Sequence, residues 1–297
     1  VMPSPGCRLH AFPDGFAFAR ALGRSARAEV RMIEVHRFPD GESLVRVGRP
    51  AGRDAVVVRP LDSPNEKLVE VVLAADALRR AGARSVTLVA PYLAYMRQDA
   101  VFAPGQPVSQ RAIATMLGRA FDRVLAVEAH LHRVASLAEI FPVPALSISA
   151  SPAIARWIAR SAGDPGETVL VGPDQESEAS LRAVAEAAGG LRWVVGRKLR
   201  RGDRDVRVSL PRVRAEHAVV VDDVASSGRT IAATAERLRR SGVRRVDAVV
   251  VHAVFARGAL SAMRAAGVRR VVSCDTIEHR TNAIPVAGLL ASALGGA

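Results

Sequence analysis

Apolar and polar positions along this chain follow two alternating rhythms. Short valine-rich runs, such as DAVVV at 54–58 and HAVVV at 217–221, are apolar at consecutive positions. Between them lie stretches with apolar residues every three or four positions, the spacing of an amphipathic helix. Residues 54–91 read DAVVVRPLDSPNEKLVEVVLAADALRRAGARSVTLVAP, and residues 217–253 read HAVVVDDVASSGRTIAATAERLRRSGVRRVDAVVVHA. Both pass from apolar strand to loop, helix, LRR[AS]G and a second apolar strand. Basic residues followed by Gly82 or Gly242 are the expected helix stop, with cations at the negative end of the dipole and a residue that accepts left-handed angles. Continuously apolar strands joined by helices predict parallel strands buried on both faces. The chain therefore reads as two copies of one α/β domain.

The copies differ in the loop after their first strand, RPLDSPNEK in one and DDVASSGRT in the other. In open α/β sheets, ligands bind outside the carboxyl ends of the strands. Small residues leading into a helix near Ile231 predict an anion cradle there. A plain strand-to-helix turn is the bland alternative, but two adjacent carboxylates at a strand end are costly unless paired or liganded. The bulkier first copy predicts a phosphate site lost or never used.

Elsewhere, residues 30–47 alternate on both sides of Pro-Asp-Gly, which predicts a hairpin or bent strand pair. Residues 93–107 predict a long polar loop, followed by a helix from about Ser109, which would cap it. The three prolines of FPVPALSISASP mark a boundary near residue 143, giving domains 1–143 and 144–297, with the last helix able to pack back on the first.

Composition narrows the function. No apolar run approaches the roughly 20 residues of a membrane span, and no basic segment followed by an apolar core marks a signal peptide. Half the 297 residues are hydrophobic, aromatics are scarce, and alanine and valine dominate, so the core should be aliphatic. Cys7 and Cys274 stand far apart without metal-ligand spacing, which predicts a reduced, cytoplasmic protein. The net charge of +13 is almost all arginine, spread along the chain without interleaved aromatics, which argues against nucleic acid. Only two lysines occur, Lys67 and Lys198, and each asks for a reason, because arginine does not reproduce a compact point charge.

Taken in order, FPDGE at 38–42, PYLAYMRQD at 91–99, EAHLH at 128–132, GPD at 172–174, RKLRRGDRDV at 197–206 and VDDVASSGRT at 221–230 resemble the ribose-phosphate diphosphokinases. The resemblance runs from about residue 31 to 285. It is nearer the shorter archaeal-type branch, since no second arginine follows RQD. It implies two tandem type I phosphoribosyltransferase-like domains and transfer of a diphosphoryl group from ATP to ribose 5-phosphate, with Mg2+.

The resemblance also implies roles for residues. Ser226, Ser227, Gly228, Arg229 and Thr230 would wrap the 5-phosphate, and Asp222 and Asp223 would face ribose hydroxyls or hydrated magnesium. Lys198 and Arg200, on a mobile loop flanked by strands, would neutralise the transition state. Arg97, Gln98 and Asp99 would contact ATP, the aspartate toward the nucleoside or the loop itself. Phe38 would stack on adenine while Asp40 and Glu42 bind its amino group, in a neighbouring subunit, so the active form would be at least a homodimer. His130 and Asp174 would help hold the metal.

Several positions depart from the family's pattern. Arg229 stands where a glycine is usual, Ala100 where many members have arginine, and Glu128 where aspartate is usual. Glu176, Ser177 and Ser180 replace two glycines and an arginine. A non-catalytic regulatory paralogue, a phosphoribosyltransferase and a nucleic-acid binder are the alternative readings of the sequence. The paralogue draws on these departures and the last only on net charge.

Overall fold

The computed structural model describes residues 7–48, 52–161, 164–201 and 205–295, with backbone alone at 198–201 and 205–207. The chain forms two compact units. The first is 1–148 with 276–278 and 286–297, and the second is 149–275 with 279–285.

In the first unit, the elements run β1 (Arg8–Ala11), α1 (Phe16–Ala26), β2 (Glu29–Met32), β3 (Glu34–Arg37), β4 (Ser43–Arg46), β5 (Asp54–Val58), α2 (Pro64–Arg80), β6 (Ser85–Ala90), α3 (Ser109–Ala120), β7 (Arg123–Val127) and β8 (Ala145–Ile148). Six strands form one parallel sheet in the order β2-β1-β5-β6-β7-β8. The second unit holds α4 (Ser151–Ser161), β9 (Thr168–Gly172), α5 (Glu178–Ala187), β10 (Arg192–Val195), β11 (Arg197–Arg201), β12 (Asp205–Ser209), β13 (His217–Val224), α6 (Arg229–Arg240), β14 (Arg245–His252), α7 (Ala259–Ala265), β15 (Val268–Cys274) and β16 (Asn282–Ile284). Its parallel sheet has the order β10-β9-β13-β14-β15-β16, strand for strand the order of the first. The tandem repeat in the sequence is thus a repeat of topology. The last helix, α8 (Ala287–Leu294), belongs to the first unit and packs on α1.

The strands form where β-branched residues run consecutively, and their burial explains the pattern. Residues Val56, Val57 and Val58 of β5 and Val219, Val220 and Val221 of β13 are all buried, covered by helices on both faces. Each core is aliphatic with few rings. Leu78, Leu88, Leu117 and Phe121 are sealed in the first, and Val171, Val220, Leu238 and Met263 in the second. Both repeat helices end on the arginines and the positive-φ glycine that the pattern predicts.

Two local expectations shift. Residues 145–148 pair with β7, so the first compact unit runs past residue 143 to Ile148. The boundary prolines flank a short edge strand, because proline breaks a helix but tolerates a strand entry. Ser109 is the first helical residue of α3 and not its cap. Its hydroxyl bonds the Gln98 side chain, while Val108 precedes the helix.

Candidate active site

Each unit presents its candidate residues where strands end, because consecutive parallel strands place their following loops along one edge of the sheet. In the second unit, β13 ends in Asp222 and Asp223, and the neighbouring β9 leads directly to Asp174. The two adjacent carboxylates are half-buried. Asp222 accepts from the Asp223 N–H at 3.1 Å and Asp223 from the Val224 N–H at 2.7 Å. Each therefore covers a backbone donor and keeps acceptor capacity for hydroxyls or a hard cation.

The chain then turns sharply into α6. Gly228 has φ +70°, and Arg229 is already the first helical residue. A Cβ on Gly228 would lie 3.1 Å from Met263 Cγ and 3.2 Å from the Ala259 carbonyl oxygen of α7. Left-handed backbone and close packing thus both fall on the residue that is glycine. The side chain of Arg229 is exposed and its backbone is helical, so the turn does not need a glycine there. The N–H groups of a first helical turn lack intrahelical partners and face the positive end of the dipole, which suits a phosphate. The loop is steadied from behind by Ala256, whose N–H donates to the Ser226 carbonyl at 3.0 Å.

The same place in the first unit is occupied by its own side chains. Where β13 ends in acids, β5 leads to Arg59, which is buried over the Phe12 ring and pairs with Glu70 at 2.5 Å. Lys67 reaches Asp14 and Asp62, each at 2.7 Å, and the Pro60 carbonyl at 3.1 Å. Lys67 therefore has a structural reason: it fills a loop that in the other copy carries small residues and no lysine.

The GPD segment shows how its departures are accommodated. Ser177 is buried against Gly172 and its hydroxyl donates to the Asp174 carbonyl at 2.6 Å, holding the turn that carries Asp174. The Ser180 hydroxyl donates to the Ser177 carbonyl, and Glu176 is exposed. Lys198 and Arg200 lie in β11, which pairs antiparallel with β12, Lys198 opposite Val208 and Arg200 opposite Val206. The stretch expected as a loop between strands is itself one strand of a two-stranded ribbon, and the side chains of Lys198 and Arg200 lie outside the described residues.

In the first unit, FPDGE caps the β3–β4 hairpin. The Phe38 N–H donates to the Glu42 carbonyl at 2.8 Å, and Asp40 accepts from the Glu42 N–H at 3.1 Å. The hairpin root is tied to α2, with Ser43 donating to Glu70 at 2.8 Å and Arg37 facing Glu66 and Glu70. Burial pushes the Glu70 carboxyl up, but hydrogen bonds from Arg59 and Ser43 and the charges of Arg59 and Arg37 outweigh it, so the group sits below the usual carboxylate range. The tip stands clear, with Phe38 41% exposed.

The loop after β6 carries Arg97 and Gln98, both exposed, and Asp99, whose side chain is 8% exposed. The next loop along the edge, after β7, carries His130. Its Nδ1 lies 3.1 Å from Nε2 of His132, with the rings edge to face. Arg133 follows and pairs with Asp99 at 3.4 Å. Arg97, Asp99 and His130 thus come from adjacent strand ends of one sheet. The HxH spacing marks His132 in the sequence, but the family's motif has no match for it; nothing local marks Arg133 among so many arginines.

At the opposite end of the second sheet, Asp247 is fully buried among His217, Arg245 and Arg270. Arg245 donates to His217 Nδ1 at 2.7 Å, so the proton on Nε2 points to Asp247 at 3.1 Å. Burial pushes the Asp247 carboxyl up, but its bonds to His217 and Arg270 prevail and hold it at about 2. Among the described residues no helix is long and apolar enough to cross a membrane.

Comparison with known proteins bears on both units. Residues 12–120 match the N-terminal domain of ribose phosphate pyrophosphokinase, and residues 145–288 match the phosphoribosyl transferase domain. Ribose-phosphate pyrophosphokinase of Methanopyrus kandleri is 33% identical over 284 residues, covering 95% of this chain and 96% of that protein. The protein of the same name from Pyrococcus furiosus is 34% identical over 237 residues, covering 79% of this chain and 82% of that one. The crystal structure of phosphoribosylpyrophosphate synthetase from Mycobacterium smegmatis has the same fold, with a TM-score of 0.83, 24% identity and 98% of each chain covered.

Proposed function

We propose that this chain, which belongs to the ribose-phosphate pyrophosphokinase family, transfers the diphosphoryl group of ATP to the 1-hydroxyl of ribose 5-phosphate, giving phosphoribosyl diphosphate and AMP. The observation that carries the reading is the asymmetry of the repeat. The turn at Gly228 leads beside two carboxylates into the first turn of α6, while the equivalent loop of the first unit is filled by Lys67 and its acids.

The 5-phosphate of the sugar lies at Ser226–Thr230, on the first turn of α6. Asp222 and Asp223 accept hydrogen bonds from ribose hydroxyls and fix the ring. The 1-hydroxyl oxygen attacks the β-phosphorus of ATP, the bond from that phosphorus to the α-phosphate bridging oxygen breaks, and AMP leaves. The hydroxyl proton is lost to solvent or to an oxygen of the products. Lys198 and Arg200 offset the charge spread over the phosphoryl oxygens as the bond changes, and no covalent enzyme intermediate is required. Phe38 stacks on adenine, with Asp40 and Glu42 toward its amino group, and Arg97 and Gln98 contact the nucleotide.

Mg2+ takes most of its ligands from phosphate oxygens and water and needs one or two protein carboxylates. Half-exposed Asp174, Asp222 and Asp223 at neighbouring strand ends fit that demand. The imidazole of His130 suits softer metals better, so its place is beside the ion's water shell or the phosphates. The ion, when bound with ATP, supplies charge neutralisation of the diphosphate. An exposed Phe38 at a hairpin tip supports an arm that reaches a second copy, so the active form is at least a homodimer, working in the cytoplasm.

Incubating the protein with ATP, ribose 5-phosphate and Mg2+ should yield AMP and phosphoribosyl diphosphate in equal amounts. No AMP above background across divalent metals and phosphate concentrations refutes the reading. Light scattering of the active enzyme showing only monomer refutes the shared-arm assignment.

A further inference from the structure

We propose that Arg133 is a positioning residue for the nucleotide: it holds the 93–107 loop through Asp99 and cancels the charge of that carboxylate, leaving Arg97 as the loop's contact to phosphate. This rests on the ATP reading above and reassigns Asp99 from ligand contact to anchor.

The loop is fastened in stages. Met96 is buried, and its carbonyl accepts from the Gln110 amide of α3 at 3.3 Å. The Gln98 carbonyl accepts from the Gln110 N–H at 3.1 Å, and its side chain bonds Ser109. Next comes Asp99, turned inward with only 8% of its side chain exposed, and its partner is Arg133 at 3.4 Å. Beyond it the loop stands out, with Val101 56% and Phe102 65% exposed. Among the described residues, the bonds of 100–107 are local, between Ala103 and Gln106. Asp99–Arg133 is therefore the last tie before the exposed tip, and it joins the loop to the segment carrying His130. That segment runs into a turn closed by a reciprocal cap between Ser136 and Glu139.

Charge gives the second reason. A carboxylate removed from water needs a partner, and one standing two residues from Arg97 repels a polyphosphate. Arg133 answers both demands. Arg97 itself is exposed and makes no hydrogen bond or ion pair among the described residues, so its guanidinium is uncommitted.

The test is steady-state kinetics of full-length Arg133→Ala, Arg133→Lys, Asp99→Asn and the Arg133→Ala/Asp99→Asn pair, with thermal melting of each. Arg133→Ala should raise the KM for ATP about tenfold while leaving the KM for ribose 5-phosphate and the melting temperature within error. Lysine should restore most of the ATP affinity. The double variant should bind ATP better than Arg133→Ala alone, because the unpaired carboxylate is gone. Limited proteolysis at 99–107 should speed up in Arg133→Ala, a readout independent of turnover. An ATP KM within twofold of wild type in Arg133→Ala overturns the inference. Equal rises for both substrates with a lower melting temperature overturn it too, in favour of a merely structural bond. A wild-type enzyme without activity refutes the functional reading first. Unchanged proteolysis in Arg133→Ala then overturns the anchor as well, and faster proteolysis leaves it standing.

Discussion

Replacing Gly228 with alanine tests whether the phosphate turn is built on backbone conformation. The residue has φ +70°, which costs an L-residue about 1–2 kcal/mol. The new Cβ would also stand 3.1 Å from Met263 Cγ and 3.2 Å from the Ala259 carbonyl oxygen. The methionine can bend aside, but the carbonyl belongs to the first residue of α7 and moves only with the helix. Crowding of this kind adds about 1–3 kcal/mol. Together these give about 2–5 kcal/mol, felt either as lost stability or as a displaced turn. If even 2 kcal/mol goes into displacement, the competent turn falls about 30-fold in population, and the apparent affinity for ribose 5-phosphate falls with it. Urea denaturation and the KM for ribose 5-phosphate measure the two together. The control is Arg229→Gly, placed where the family prefers glycine. Its φ is already helical, so affinity should change by less than about threefold. The reasoning fails if Gly228→Ala keeps both stability and affinity, or if Arg229→Gly tightens sugar-phosphate binding more than tenfold.

Other expectations follow from the same geometry. Lys67→Met should cost about 1–3 kcal/mol, less than the loss for a fully buried pair because Asp14 and Asp62 keep some solvent, with both KM values unchanged. Lys198→Ala should do the reverse, lowering kcat about 100-fold or more with little change in the urea midpoint; an unchanged rate removes its assigned role. Asp247 is held at about 2, below its value in the unfolded chain, so its stabilisation is complete above pH 4 and disappears as pH falls through 2. Asp247→Asn should therefore cost about 2 kcal/mol at neutral pH and almost nothing near pH 2, and equal losses at both would refute the linkage.

Much of the candidate site was legible because its parts are local. Asp222 to Thr230 are consecutive, and the chemistry of a strand end, a left-handed glycine and a helix start is set over nine residues. The hairpin at FPDGE reads for the same reason, since Asp40 and Phe38 bond within the turn they make. The Arg229 departure looked like a threat because sequence cannot say which residue of a small-residue run takes the positive φ. The packing of α7 against that turn decides it, and it falls one position earlier, on Gly228.

Sequence by itself determined the strands and helices of the repeat, the hairpin around Pro-Asp-Gly and the burial of the repeat strands on both faces, because burial imposes a period on a chain and that period survives in one dimension. Only the tertiary structure decided which charges meet. Lys67 fills one loop by joining Asp14 and Asp62, and Arg133 finds Asp99 across 34 residues. It also decided that β8 completes the first sheet and that α8 returns to the first unit. Among so many arginines any pairing is conceivable along the chain. The order of the strands makes the choice, by bringing particular loop ends within a few ångströms and keeping the rest apart.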